Sequence, residues 1–118
     1  MATTWDELVG LATSTFPDTE VSTSWGNPSL KVKGKMFARL RLEKEAHGAL
    51  ALKCSLEDKE ALLASGDAAF FTIPHYDGYG YVLVDLERVD PAELRELVTD
   101  AWLIAAPVRV RQAWEATR

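Results

Sequence analysis

Apolar positions along this chain fall into helical groupings at its two ends and short alternating runs between them. Trp5, Leu8, Leu11 and Ala12 share one face at helical spacing. Thr4 precedes them and Glu7 follows three residues on, the arrangement of a capping box. A first helix is therefore predicted over 4–14, closed by Pro17. Residues 20–25, EVSTSW, alternate weakly and suit a short edge strand or an extended arm. Gly26, Asn27 and Pro28 form a turn cluster. Strands are then predicted over 30–32 and 35–42, hinged on the two-residue turn Lys33-Gly34. A third strand is predicted over 49–54, after a polar loop at 43–48.

Ser55, with Asp58 three residues later, caps a second predicted helix. Its expected buried positions are Leu56, Leu62 and Leu63, and Gly66 ends it. Residues 70–74 and 81–86 read as two more strands, joined by the aromatic, glycine-rich loop HYDGYG. Asp90, Pro91 and Glu93 open a helix in which Leu94, Leu97, Val98, Ala101, Ile104 and Ala105 repeat with clean periodicity. Pro107 separates it from a short terminal helix carrying Arg109, Arg111 and Trp114. Strands joined by short turns pair antiparallel, and helices between strand groups cover one sheet face. The expected architecture is α+β, a two-layer sandwich of the form α-β(3)-α-β(2)-α. With no repeat and no linker, residues 1–118 read as one domain.

Composition narrows the function classes. The 118 residues are 47% hydrophobic and 26% charged, the balance of a globular protein that buries roughly two-thirds of its unfolded surface. No apolar run approaches the ~20 residues of a membrane span, so no membrane contact is expected. The first residues carry acids where a secretory signal carries Lys or Arg, and the single Cys54 forms no internal disulfide. Both point to a cytoplasmic protein. A net charge of −5 argues against broad, charge-driven binding to nucleic acid. Positive charge is nevertheless gathered locally: Lys31, Lys33, Lys35, Arg39 and Arg41 are five of the thirteen Lys and Arg. In a two-residue hairpin Val32 pairs with Lys35 and Lys31 with Met36, which splits the basic stripe between faces. Strict alternation leaves Lys35, Phe37, Arg39 and Arg41 on one side, with Phe37 able to stack on a base.

Chemistry beyond binding has little support in the residues. His75, Tyr76, Asp77, Tyr79 and Tyr81 cluster in the HYDGYG region, but no nucleophile stands in a recognisable motif beside them. His47 and His75 lack metal-ligand spacing, and neither a metal nor a cofactor is expected. The GKMF segment lacks the rest of a phosphate-binding P-loop. Cys54 reads as a small, partly buried residue.

The chain resembles the MmcQ/YjbR family of small bacterial proteins. The likeness is carried by Ser24-Trp25-Gly26 with Pro28, then Lys31-Val32, Gly34-Lys35 and Phe37-Ala38. Leu52-Lys53, Pro74-His75-Tyr76, Val82-Leu83-Val84 and the helix over 93–106 follow in the same order. The resemblance implies a "double wing" fold related in topology to secretion-chaperone-like domains, and the family's label of predicted DNA-binding protein. It implies no catalytic residues. Lys35 and Lys53 match positions the family usually fills with Lys, and Tyr81 stands where the family often has Trp. The resulting expectation is a nucleic-acid or anion-binding module using Lys35, Arg39, Arg41, Lys53, Phe37, His75 and Tyr76. Two alternatives stand beside it: a protein-interaction module using an exposed strand edge, Trp25 or Trp114, and an enzyme on a small anionic metabolite using Lys53 or His75.

Overall fold

The computed structural model describes residues 3–42 and 48–117. Helix α1 (Trp5–Thr15) opens with the expected capping box: Thr4 Oγ1 accepts from Glu7 N–H, and the Glu7 carboxylate accepts from Thr4 N–H. Four strands follow, β1 (Thr19–Ser24), β2 (Asn27–Val32), β3 (Lys35–Leu40) and β4 (Ala49–Lys53). Helix α2 (Leu56–Ala64), strand β5 (Phe70–Phe71), a 3-10 turn (Pro74–Tyr76) and strand β6 (Tyr81–Asp85) come next. Helices α3 (Pro91–Ala105) and α4 (Val108–Glu115) complete the described chain. The sheet is antiparallel with strand order β1-β2-β3-β4-β6-β5. The α+β reading holds, with residues 19–24 forming a full edge strand instead of an arm.

The cluster Gly26-Asn27-Pro28 is not all turn. Trp25 and Gly26, with φ of 50° and 78°, make the reversal, and Asn27 and Pro28 already belong to β2. Positive φ at both central positions is the geometry that matches the twist of two-residue hairpins. Proline is tolerated there because pairing between β2 and β3 begins only at Ser29, so no ladder bond needs its missing N–H. Lys33 and Gly34, with φ of 48° and 80°, form the second two-residue turn as expected.

The main core lies between the sheet and α1 and α3. Leu30, Ala38, Leu52 and Val82 form one buried row across four strands, and Leu50 with Val84 begins the next. Leu8 and Ala12 of α1 and Leu94, Val98, Ala101 and Trp102 of α3 close over them. Trp102 is fully buried and stacks on Phe16 at 5.4 Å, while Trp114 of α4 packs edge-on against both rings. Trp114, partly buried, thus anchors α4 to the core. Ile104, placed in the periodic set of α3, is 44% exposed.

Helix α2 departs further from expectation. Leu56 and Leu63 are exposed and Leu62 is half-buried, while Lys59 is the buried residue of the helix. Its ammonium replaces apolar packing with hydrogen bonds to the carbonyls of Tyr76 (2.5 Å) and Tyr79 (2.9 Å). The Cα radius of gyration is 13.5 Å, that of a compactly folded chain of this length.

Candidate functional site

Opposite the helices, the sheet carries a smaller cluster of Ala49, Ala51, Leu83 and Tyr76, flanked by Phe71, Ile73 and Tyr81. The segment from Ile73 to Gly80 folds over one end of this open face and puts Tyr76 against it. Two contacts fix that segment. Lys59 reaches from α2 to hold its carbonyls. At its end Cys54 N–H donates to Gly80 O at 2.9 Å, and a Cβ at position 80 would lie 2.7 Å from the Cys54 carbonyl oxygen. Only glycine fits that approach.

Between this segment and the β1–β2 turn runs a groove of about 460 Å³. Its walls include Trp25, Met36, Arg39, Lys53, Tyr79 and Tyr81, with His75 and Tyr76 at its margin. Cations and rings alternate across the face. The Arg39 guanidinium lies 5.2 Å from the Trp25 ring centre, Lys53 Nζ 5.1 Å from Tyr81, and Arg41 5.2 Å from Tyr76. Such contacts hold each charge over the negative face of a ring. Arg39 Nε also donates to Ser24 O, which ties the Trp25 turn to β3. The Tyr81 hydroxyl donates to Met36 O at 3.1 Å, and burial raises its phenol above the ordinary value, with smaller contributions from Tyr76 and Cys54. Trp25 is 83% exposed and Tyr79 64%, so these two rings at the groove mouth face solvent.

The seven residues singled out by the sequence do not form one patch. A bulge in β3 is the reason. Leu30 pairs with Ala38 but Lys31 pairs with Met36, so Phe37 is an extra residue and alternation shifts by one across it. Phe37 turns into the main core, fully buried, and is unavailable for stacking on a ligand. Lys35, paired with the core residue Val32, stands exposed on the helix side of the sheet, away from the groove. Arg39 and Arg41 stay on the open face beside Ala51 and Ala49, at 4% and 5% exposure. Lys53 and His75 line the groove, and Tyr76 is buried beneath its margin. A separate hollow beyond the 3-10 turn joins Arg41 to Ile73, Pro74 and His75. His47 lies outside the described residues.

Met36 gave no sign of a site in the sequence, whereas Trp25 stood in the interaction alternative and Tyr79 and Tyr81 in the HYDGYG aromatic cluster, outside the seven-residue set. The signal for Trp25 was present in the pattern Ser-Trp-Gly-Asn, which puts a bulky aromatic in a turn that favours Asn or Gly. No group of three or more His, Cys, Asp or Glu suited to holding a metal occurs among the described residues. No helix among them is long and apolar enough to cross a membrane.

The YjbR family model matches residues 14–104, which spans the sheet, the groove and most of α3. The chain belongs to the YjbR family. The uncharacterized proteins Rv2570 of Mycobacterium tuberculosis and Mb2600 of Mycobacterium bovis are each 36% identical to it over 94 residues. Those matches cover 79% of this chain and 73% of each relative. A crystal structure of Deinococcus radiodurans protein DR2400, described as a DUF419 domain, superposes with a TM-score of 0.73 over 95% of this chain and 88% of that one. At 22% identity that likeness establishes a shared YjbR-type fold.

Proposed function

We propose that this YjbR-family chain is a binding module whose open sheet face takes single-stranded nucleic acid. One observation carries the reading: solvent-facing Trp25 and half-buried Tyr81, each with a cation over its ring, share a single groove. Rings spaced along a sheet face accept unpaired bases, and nearby cations attract the connecting phosphates. Lys53 is the principal phosphate contact, because Arg39 is almost wholly buried and serves mainly to hold the Trp25 ring. Neither Ser, Thr, Cys nor a carboxylate lines the groove among the described residues, so it holds no nucleophile–base pair of the Ser–His or Cys–His kind. A hollow of about 470 Å³ between Pro17, Asp18, Lys33, Pro107 and Arg109 is a weaker candidate. It has no aromatic lining, and Asp18 lies 3.7 Å from Lys33.

Fluorescence anisotropy with labelled single strands and duplexes at two salt concentrations tests the proposal. Single strands should bind more tightly, with a log–log salt slope of roughly −0.7 to −1.4 for one or two phosphate contacts. Trp25→Ala should weaken binding by about 5- to 150-fold, the range for loss of one stacked base. Absence of binding at ~50 mM salt, or affinity unchanged in both Trp25→Ala and Lys53→Ala, overturns it.

A further inference from the structure

The two edges of the sheet are unlike. At one, β5 contributes only Phe70 and Phe71 and offers almost nothing to pair with. At the other, β1 is six residues long and carries no Lys, no Pro and no bulge; of the devices that ordinarily keep an edge from pairing it has a single charge, Glu20, whose side chain stands on the open face opposite Lys31. Ser24 and Asn27 flank the Trp25-Gly26 turn and form its hydrogen-bonded pair. Counting back by twos, Ser22 and Glu20 direct their backbone groups at β2, while Thr23, Val21 and Thr19 direct theirs outward. All three outward-facing residues are β-branched, the class that strands favour. Val21, opposite the core residue Leu30, is 55% exposed on the helix side, so an apolar side chain sits uncovered beside the open backbone.

We infer that β1 pairs antiparallel with β1 of a second copy of this chain, with Val21 on the two-fold axis. In that register Val21 faces Val21, Thr19 faces Thr23, and Glu20 faces Ser22, so no acid opposes an acid. Each outward residue exchanges both its backbone bonds with its opposite. The match is self-complementary, as an isologous interface requires. Because the β5 edge is too short to continue the sheet, association stops at two copies instead of running into fibres. The axis stands perpendicular to the sheet, so both open faces and both grooves lie on the same side of one continuous sheet. The inference does not depend on what the groove binds.

Sedimentation velocity on the full chain, from ~10 µM to ~1 mM, should show the 13.1 kDa species giving way to one of twice that mass. Val21→Pro removes only an outward N–H, and Val21→Lys places a charge on the edge; each should weaken association at least about tenfold with an unchanged circular dichroism spectrum. If Val21→Pro disturbs the fold, Val21→Lys decides the matter. Val21→Cys in a Cys54→Ser background should form a cross-linked dimer on mild oxidation. A monomer throughout the concentration range overturns the inference, as does a dimer that persists in the folded Val21→Lys variant.

Discussion

Partial burial pushes the Cys54 thiol from 9.0 up to about 11, with a smaller downward pull from Lys59, an upward push from Asp58 and a downward pull from Lys53. The neutral thiol is therefore favoured in the fold. An unfolded chain ionises Cys54 near pH 9 and the folded chain only near 11, so its contribution to stability is intact below pH 9 and is lost as pH rises toward 11. Tyr81, also raised by burial, adds to the same loss above its ordinary range. Urea midpoints should fall more steeply across that window in the parent chain than in Cys54→Ala, with Tyr81→Phe removing a further part of the slope. An equal slope in all three would show that neither group governs the alkaline limit. The same burial makes the thiol a poor nucleophile, and modification by a thiol reagent at pH 8 should be far slower in the folded chain than in urea.

Elements differ in how plainly their residues announce them. Helices α1 and α3 were legible because their caps and their periodicity agree, and side chains such as Leu8, Leu94 and Val98 go where spacing sends them. Strand β3 was legible as a strand but not in its facing. One unpaired residue, Phe37, reverses the parity that alternation implies, and no local signal in KMFARL marks it. Helix α2 was legible by its Ser55 cap and misread in its burial, because its inward contact is a charge meeting carbonyls from a segment more than fifteen residues away. Propensity and periodicity cannot see such a partner. The groove, assembled from the β1–β2 turn, β3, β4 and the segment before β6, was legible only in pieces. Lys59→Met keeps the length of the stem but leaves the Tyr76 and Tyr79 carbonyls without their charged donor, at a cost of about 1–3 kcal/mol. Hydrogen exchange should speed up selectively in the segment Ile73 to Gly80, with α1 and α3 little changed. Uniform acceleration, or none, would refute a local latching role for Lys59.

At the scale of the whole molecule, two clusters on opposite faces of one sheet divide the labour. The larger, built around Trp102 and closed by α4 through Trp114, holds most of the buried apolar side chains; the smaller supports a shaped surface. The Trp25 turn belongs to neither, and its backbone is held at φ 50°, where a bulky residue is strained. Trp25→Asn would install Asn-Gly, the pair such turns prefer, and should raise stability by about 0.5–1 kcal/mol while weakening any ligand that stacks on the ring. Parallel measurements of unfolding free energy and affinity check this, and a variant that loses stability would show that the ring supports the fold. Opposite signs would have an evolutionary meaning. Selection for robustness alone would drift away from tryptophan at this site, so its persistence among descendants would report continued use of the groove, and its replacement by Asn or Gly would mark lineages in which that use has ended.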